Sequence, residues 1–547
     1  MKPTLTAALL TAALLAGACA QTPTPPPAIA SVAPKPDDDL AYASIGELQA
    51  QMAAGELTAV QLVAYYQERI ARLDHSGPLL RSVLALNPNA AADAAALDAE
   101  RAAKGPRGPL HGIPVLIKDN INTQDRLATT GGSLALEENF AVADAPLVAR
   151  LRAAGAVILG KTNLSEWANI RDEDSTSGWS AMGGLTRNPH ALDRTACGSS
   201  SGSGVAVAAG LAPAAIGTET DGSIVCPASI NGVVGVKPTV GLVSRTGVIP
   251  ISASQDTAGP MTRSAADAAL VLAAIAGTDP ADPDTAEADA KRADYAAALP
   301  GASLRGKRLG VPKHLRPAPQ PQLDALYEAT LKRLEAAGAV LVPLEEEPPL
   351  DKIGPAEFKV LLTELKAGMA AYLASAPPAV ARRTLADLIA FNSAHPEQEL
   401  GLFGQSIFLQ AQETTGLEDE AYLEALKTSR ALARMTLDDW LEGKKLDAII
   451  APTVGPAWTI DVVNGDSYVG GVSTLAAVSG YPHVTTPMGT AHSLPIGLSF
   501  MGPRWSEPRL LALAAAFEAM RGPAPKPAFA PNVDASPGVA PTLAPAR

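Results

Sequence analysis

The sequence predicts an α/β fold, in which one large domain has a central sheet covered on both faces by helices. Hydrophobic residues make up 47% of the 547 positions, so the chain can bury a large core and is not disordered. Short apolar runs alternate with helical stretches along the body, as is typical of a sheet with helices on both faces. No linker interrupts this alternation, and we therefore expect a single domain.

Capping residues mark the first helices. Ser44 and Glu47 form a capping-box pattern, and Thr58 precedes apolar residues at helical spacing. Further helices are expected over residues 147–154, 205–209, 265–276, 323–337, 421–441 and 508–520.

Buried strands are expected where runs of Val, Ile, Leu and Ala have no polar interruption. Such runs are typical of central strands covered on both faces. They occur at 115–117, at 156–159 with Gly160 as the stop, around Ile216, and at 233–236, 446–451 and 496–501.

The two ends of the chain have their own composition. Residues 1–18 have one charge, Lys2, before an apolar run and small residues, which predicts a secretory signal segment. The end of this segment resembles a bacterial lipobox with Cys19 as the acylated residue, although ordinary cleavage after Ala20 is the alternative. Residues 19–41 read as a Pro- and Thr-rich tether, 42–525 as the domain, and 526–547 as a flexible tail. We therefore expect an exported protein, periplasmic or held at the membrane by a lipid anchor.

Charge and cysteine content exclude several classes of protein. The net charge of −13 argues against a nucleic-acid partner, which needs a basic surface. Three cysteines, at positions 19, 197 and 226, exclude a disulfide scaffold and a four-cysteine zinc site. We expect neither a metal nor a cofactor. Cys197 and Cys226 are interpreted as small buried hydrophobic residues, and their pairing is left open.

Three segments carry residue types that packing does not explain. The first segment ends an apolar run with Lys118. The alternative interpretation of this lysine is a structural one, in which its side chain reaches the surface. The second, 197–204, is rich in Gly and Ser yet runs directly into an apolar helix, unlike a linker. The third, 217–227, can aim several backbone N–H groups at one point beside Ser223, and its alternative is a plain surface turn. A phosphate site is excluded because its glycine spacing is absent.

The second segment also matches a different enzyme class. Gly198, Ser200 and Gly202 fit the GxSxG nucleophile elbow of α/β-hydrolases, which would make Ser200 the nucleophile of an esterase. That class needs a histidine base later in the chain. The candidates are His314, His395, His483 and His492, of which the last two lie in loop-like contexts. Nothing in the sequence marks any of them as catalytic.

A longer series of motifs runs along the whole body. Its members are Gly112-Ile113-Pro114, Lys118-Asp119-Asn120, Gly160 to Glu166, Arg187-Asn188-Pro189, Gly198-Ser199-Ser200, Asp221-Gly222-Ser223, Gly235 to Thr239 and Gly259-Pro260-Met261. In order and spacing this series resembles the amidase signature family, from about residue 42 to residue 525. The resemblance implies a mixed central sheet and hydrolysis of a small peptide or other carboxamide.

The resemblance also implies a Ser–cisSer–Lys triad. Ser223 would be the acylated nucleophile, Ser199 the bridging serine after a cis peptide bond, and Lys118 the terminal base. A serine hydroxyl needs such a base to become a nucleophile. An ordinary lysine costs about 4–5 kcal/mol to deprotonate near neutral pH, and burial lowers that cost.

An oxyanion hole is the second implied component. The backbone N–H groups of Thr220, Asp221, Gly222 and Ser223 would line it. Removal of such donors typically costs about 10²–10³ in rate. Asp221 is also predicted to contact the substrate, because its negative charge beside the nucleophile would disfavour a peptide carboxylate relative to a neutral carboxamide.

Departures from the family pattern point to one branch. Cys197 replaces a glycine before the serine pair, and Glu219, Asp221 and Val225 stand where Asp, Gly and Arg are usual. These residues, with the stretch 391–405, resemble bacterial peptide amidases, which convert the C-terminal carboxamide of a peptide to acid and ammonia.

Alternatives outside that branch remain. A general aliphatic or aryl amidase would share every motif. A subunit of a tRNA-dependent amidotransferase would share them too, but export and the net charge of −13 argue against it. A binding lipoprotein without activity is disfavoured because Lys118, Ser199 and Ser223 are all present. Oligomeric state cannot be inferred.

Overall fold

The computed structural model describes residues 39–536 and 539–543. The predicted signal segment, Cys19 and most of the predicted tether lie outside the described residues. No helix within the described ranges combines the length and apolar composition needed to cross a membrane.

The strands form one large sheet and one small hairpin. They are β1 (Val83–Leu86), β2 (Pro114–Lys118), β3 (Val157–Thr162), β4 (Trp179–Ser180), β5 (Gly184–Leu185), β6 (Ala214–Glu219), β7 (Val234–Lys237), β8 (Thr257–Thr262), β9 (Arg308–Pro312), β10 (Val340–Leu344), β11 (Ala448–Pro452), β12 (His483–Ala491) and β13 (Leu494–Met501). The 11-stranded sheet has the order β1-β3-β2-β6-β8-β7-β12-β13-β11-β9-β10, and β4 pairs with β5 alone.

The large sheet is mixed, as expected. Strand β2 runs parallel to both β3 and β6, and β9 runs parallel to β10 and β11. The remaining pairs are antiparallel, including β6 with β8 and β12 with β13. Because β2 and β6 are parallel neighbours, their carboxyl ends meet at one edge of the sheet, where the catalytic motifs follow.

The helices occupy the intervals between these strands. They are α1 (Asp39–Tyr42), α2 (Ile45–Ala54), α3 (Ala59–Leu73), α4 (Ala90–Lys104), α5 (Pro146–Ala153), α6 (Ser201–Ala208), α7 (Val225–Asn231), α8 (Ala265–Ile275), α9 (Ala288–Lys291), α10 (Pro321–Ala336), α11 (Leu350–Ser375), α12 (Leu385–Ala394), α13 (Pro396–Glu399), α14 (Ser406–Gln412), α15 (Glu420–Leu441), α16 (Thr474–Ser479), α17 (Glu507–Arg521) and α18 (Ala540–Leu543). Both predicted caps are confirmed, since Ser44 and Thr58 each form a capping box.

Helices cover the sheet on both faces, which confirms the predicted α/β architecture. Every residue of β2, β3, β6, β7, β8, β11 and β13 is buried. Successive residues of a strand point to opposite faces, so complete burial requires cover on both sides. The largest apolar cluster joins these strands to α2, α3, α8 and α17, and a separate cluster joins α11, α12 and α14.

A buried charge cluster anchors the stretch 391–405. Glu399 accepts hydrogen bonds from the Ser133 hydroxyl at 3.0 Å and from the Leu134 N–H at 2.8 Å. Its other oxygen lies 3.5 Å from the guanidinium group of Arg171, which also contacts Glu166. All three charged side chains are fully buried. This cluster joins α13 to the segment around residue 170 that forms one wall of the cavity described below.

Two predictions from the sequence are wrong: the end of β3 at Gly160 and part of the flexible tail. Strand β3 continues through Gly160 to Thr162, where it pairs with the antiparallel edge strand β1. A Cβ atom at Gly160 would lie 2.2 Å from the carbonyl oxygen of Ala85, so the glycine permits strand contact and does not end the strand. The predicted flexible tail is also wrong for residues 529–536. The Phe529 N–H donates to Pro189 at 2.9 Å, and Val533 is buried.

Gly160→Ala is expected to lower the free energy of unfolding by about 1–3 kcal/mol, because its Cβ would overlap the β1 backbone. Gly46→Ala is the matched control. Gly46 is an exposed residue of α2, where an added Cβ would lie 3.9 Å from its nearest neighbour, Ser44 Oγ, an ordinary van der Waals distance. This control is expected to be neutral or to stabilise by up to about 1 kcal/mol, as alanine favours helices. Thermal unfolding of both variants at one scan rate provides the test, and equal melting temperatures would contradict the steric explanation.

Candidate active site

Lys118 lies at the carboxyl end of β2, with its side chain fully buried. Its Nζ donates to Ser199 Oγ at 2.7 Å and to Thr218 Oγ1 at 2.8 Å. The Thr218 carbonyl oxygen lies 3.3 Å from the same nitrogen. Thr218 is on β6, so the parallel pairing of β2 and β6 brings these groups together. The alternative of a lysine that reaches the surface is therefore excluded.

Burial lowers the pKa of Lys118 to about 7 because the interior disfavours the charged ammonium. The negative charges of Asp256 and Glu219 act in the opposite direction and limit the shift of the pKa. A lysine with this pKa is unprotonated in a large fraction of molecules at neutral pH. Lys118 can therefore accept a proton, which an ordinary surface lysine cannot do at that pH.

Ser199 lies in the loop that leads into α6, and its peptide bond with Gly198 is cis. The Ser199 carbonyl accepts a hydrogen bond from the Ser165 N–H at 3.0 Å. A Cβ atom on Gly198 would lie only 2.0 Å from Ser165 Oγ, so no larger residue fits there. This close approach of the 165 and 198 segments places the Ser199 hydroxyl against Lys118.

Ser223 lies in the turn between β6 and α7. Its carbonyl oxygen accepts a hydrogen bond from the Ser200 N–H at 3.1 Å, which joins the turn to the loop of Ser199. Gly222 has a φ of 83°, a backbone conformation that a side chain would strain. Ser223 lines a cavity of about 590 Å³. The structure thus brings the three predicted triad segments together at one end of the sheet.

The backbone of this turn supplies hydrogen-bond donors. Within the described part of the chain, the N–H groups of Asp221, Gly222 and Ser223 donate to no protein acceptor. These three residues and Thr220 line the cavity. Unpaired backbone N–H groups beside a serine hydroxyl can stabilise the negative charge that develops on a carbonyl oxygen under attack.

Glu219 fixes the far end of the same turn. Its Oε2 accepts hydrogen bonds from the N–H groups of Ile224 at 2.7 Å and Val225 at 2.9 Å. These are the donors at the start of α7, which a carboxylate satisfies well. In the family this motif usually contains an Asp and an Arg. Here Glu219 alone stabilises the end of the turn, through backbone N–H groups.

Ser200 lacks the partners of a nucleophile. Its hydroxyl donates to the Thr218 carbonyl at 3.0 Å and accepts from the Thr218 N–H at 3.2 Å. Among the described residues, no histidine contacts it. His483 lies on β12 and not in a loop, where its Nε2 bonds to Ser499 Oγ at 2.6 Å. Burial lowers the pKa of His483 to about 3. These contacts disfavour the esterase alternative.

Cys197 and Cys226 form a disulfide bond, with their Cα atoms 6.1 Å apart. Both residues are buried, as the sequence predicted, and the pairing that it left open is a disulfide. The bond lies in the cavity wall and packs against Trp458. The sequence does contain a signal for this bond. Each cysteine flanks one of the two serine motifs, and the two motifs must lie together in an active site. Cys197 has a φ of 54°, which explains why a glycine is usual there.

Asp221 lines the cavity, but its side chain is held by protein. Its Oδ2 accepts a hydrogen bond from Thr474 Oγ1 at 2.7 Å. Burial raises the pKa of the carboxyl group, and Glu357 on α11 lies within hydrogen-bonding reach. The predicted contact with substrate remains a prediction. Glu357 and Thr474 were not identified from the sequence, because nothing local distinguishes them from other helix residues.

The rest of the cavity wall combines aromatic and polar residues. Trp458 and Tyr468 meet edge to face with ring centroids 5.6 Å apart. Asp466 accepts hydrogen bonds from the Trp458 indole N–H at 2.9 Å and the Ser177 N–H at 3.0 Å. Within residues 39–536 and 539–543, no group of three potential ligands is arranged to hold a metal ion. The cavity wall thus offers both an aromatic surface and hydrogen-bonding groups.

The fold and this site define a hydrolase. The protein-family model described as Amidase matches residues 61–511, so the chain belongs to the amidase signature family and is an amidase. A solved peptide amidase from Stenotrophomonas maltophilia is 54% identical, with a TM-score of 0.83, covering 89% of this chain and 98% of that chain.

A second solved structure and a plant protein also match. A peptide amidase in complex with the competitive inhibitor chymostatin is 55% identical, with a TM-score of 0.83, covering 88% of this chain and 98% of that chain. A probable amidase of Arabidopsis thaliana is 40% identical over 487 residues, which are 87% of this chain and 89% of that protein.

The pKa of Lys118 predicts the acid side of the pH profile. Below about pH 7 the lysine is protonated and cannot accept a proton, so kcat/KM for a neutral amide should rise about tenfold between about pH 6 and about pH 8. Initial rates across that range provide the measurement. As controls, Gln variants of His314, His395 and His492 should keep the same profile. A folded histidine variant that loses activity as Lys118→Ala does would exclude Lys118 as the base.

Proposed function

We propose that this amidase hydrolyses the C-terminal carboxamide of peptides to a carboxylic acid and ammonia. The observation that carries the proposal is the 2.7 Å hydrogen bond from Lys118 to Ser199, directly beside the cavity that Ser223 lines. Ser223 is the proposed nucleophile, Ser199 the relay and Lys118 the base.

The proposed reaction begins with neutral Lys118. As Ser223 Oγ attacks the carboxamide carbon, its proton passes to Ser199 Oγ, and the Ser199 proton passes to Lys118 Nζ. The carbonyl oxygen becomes an oxyanion that accepts hydrogen bonds from the free N–H groups of the turn. Collapse of the tetrahedral intermediate breaks the C–N bond, and the departing nitrogen takes the proton back through the same relay. Ammonia leaves an ester on Ser223.

Water then completes the cycle. Lys118, neutral again, accepts a proton from the attacking water through Ser199, and the water oxygen bonds to the acyl carbon. Collapse of the second intermediate returns the proton to Ser223 Oγ and releases the acid. Because each product leaves without a change of oxidation state, the cycle requires only water and substrate.

Similarity to solved peptide amidases supports a peptide as the acyl group. Two of them match this chain at 54–55% identity over nearly their whole length, and one binds the competitive inhibitor chymostatin. A cavity of about 590 Å³ has room for a short peptide, and the Trp458–Tyr468 pair offers an apolar wall. A general aliphatic or aryl amidase would use the same turn and the same base. Only a comparison of substrates therefore distinguishes it from a peptide amidase.

We also infer that the enzyme is exported and held at the membrane by a lipid on Cys19. Its support is the sequence of residues 1–19, together with the Cys197–Cys226 disulfide, since such bonds persist mainly in oxidising compartments. Cys19→Ala should move the amidase from the membrane fraction to the soluble fraction without changing kcat. Mass spectrometry of the wild type that finds the mature chain beginning after Ala20, without an acylated Cys19, would exclude the lipid anchor.

A substrate panel and a chemical label test the catalytic proposal. Ammonia release should be fast with dipeptide carboxamides, slower with aryl amides and absent with the matching dipeptide acids. Ser223→Ala should lower kcat by orders of magnitude. Mass spectrometry after fluorophosphonate treatment should find the label on Ser223. A label on Ser200 would support the esterase alternative, and equal rates with all amides would support the general amidase.

A further inference from the structure

We propose that Glu357 is a positioning residue of the active site, whose protonated carboxyl group donates a hydrogen bond to Asp221 and so holds the oxyanion-hole turn in place. The inference rests on the proposed role of that turn in catalysis. Glu357 lies on α11, far from every motif, and does not itself line the cavity.

Glu357 reaches the turn through two neighbours. Its Oε1 accepts a hydrogen bond from Gln255 Nε2 at 2.8 Å, and the same nitrogen lies 3.3 Å from the Thr220 carbonyl oxygen. Its carboxyl group also lies within hydrogen-bonding reach of the Asp221 carboxyl. Thr220 and Asp221 are consecutive residues of the turn, so Glu357 braces it at two adjacent points.

The opposite side of the turn is held by different elements. Thr220 Oγ1 donates to Asp256 Oδ1 at 2.6 Å, and Thr474 at the start of α16 donates to Asp221 Oδ2 at 2.7 Å. Ser473, next to Thr474, also lies within hydrogen-bonding reach of the Asp221 carboxyl group. Asp221 Oδ1 is buried and accepts no hydrogen bond from an N–H or hydroxyl group of the described residues, which leaves an acceptor for a proton carried by Glu357.

That contact requires a proton. Two ionised carboxylates in contact would repel each other strongly in a buried setting, so one of them holds a proton. Oε1 of Glu357 already accepts from Gln255, which leaves Oε2 to carry the hydrogen. Burial and the negative charge of Asp221 raise the pKa of Glu357 well above its usual range.

The charges that face this pair assign the roles of its two members. Burial raises the pKa of Asp221, but the hydrogen bonds from Ser473 and Thr474 and the positive charge of Lys237 on β7 oppose that rise and favour the ionised form. Glu219 on β6 adds negative charge nearby, Tyr468 faces Asp221 from the cavity wall, and Gln255 contacts Glu357 without charge. Asp221 is thus the ionised acceptor and Glu357 the neutral donor.

The contribution of Glu357 is expected in the transition state. Negative charge on the substrate oxygen develops only as the bond to Ser223 forms, so misplacing the N–H donors lowers kcat while leaving KM nearly unchanged. Glu357→Ala removes both hydrogen bonds of the carboxyl group. We expect its kcat to fall about 10–100-fold on whichever carboxamide the wild type hydrolyses.

Glu357→Gln is the decisive variant. Its amide can donate to Asp221 and accept from Gln255, so it reproduces the protonated acid but cannot lose a proton. We expect kcat within about twofold of the wild type near neutral pH. At the alkaline end of the profile, wild-type kcat should fall as the pair loses its proton, whereas the kcat of Glu357→Gln should not.

Glu364 provides a matched control on the same helix. It is also buried, but its carboxyl oxygens accept hydrogen bonds from Ser252, Ser254 and Tyr422. Glu364→Gln should lower the melting temperature and keep the alkaline fall of the wild type.

Three outcomes would overturn the inference. They are a Glu357→Gln variant as inactive as Glu357→Ala, an unchanged kcat in a folded Glu357→Ala, and parallel alkaline profiles of wild type and Glu357→Gln. If Glu357→Ala does not fold, the profile of Glu357→Gln decides alone. A wild type that lacks peptide preference would contradict the proposed substrate and leave this test intact.

Discussion

Burial of the Lys118 side chain is the constraint on which the rest of the active site depends. A lysine acts as a base near neutral pH only where its charged form is disfavoured, and the end of a doubly covered sheet provides such an environment. The two parallel strands β2 and β6 supply the lysine and its Thr218 partner from one edge. Negative charge from Asp256 and Glu219 prevents the pKa from falling further. Lys118 therefore titrates near neutral pH, so a large fraction of it can act as a base there.

The turn that carries Ser223 shows how the structure compensates for unpaired groups. Its N–H donors are left free for a substrate, so the turn gains no stability from them and other contacts must define its shape. Glu219 holds one end, Asp256 and Thr474 hold its side chains, and the Ser200 N–H holds the Ser223 carbonyl. Three side chains and one backbone N–H thus fix a turn that has little stability of its own.

Much of the fold and the centre of the site could be predicted from the sequence, because both depend on local patterns. Apolar runs predicted the central strands, capping residues predicted α2 and α3, and the motifs located Lys118, Ser199 and Ser223. Predictions failed where contacts are distant in sequence. Gly160 resembles a strand end because the pairing of β3 with β1 leaves no local trace. Residues 529–536 resemble a tail in composition although they pack on the body. Glu357 was missed for the same reason.

The Cys197–Cys226 bond has a topological consequence. The two cysteines are 29 positions apart, so the bond closes a covalent ring that contains both serine motifs, β6 and α6. In the unfolded chain such a ring restricts the conformations of the segment, an entropic effect of about 3–4 kcal/mol for rings of this size. Cys197 lies two residues before Ser199 and Cys226 lies three residues after Ser223, so the bond limits how far the loop and the turn can move apart when the cavity wall opens.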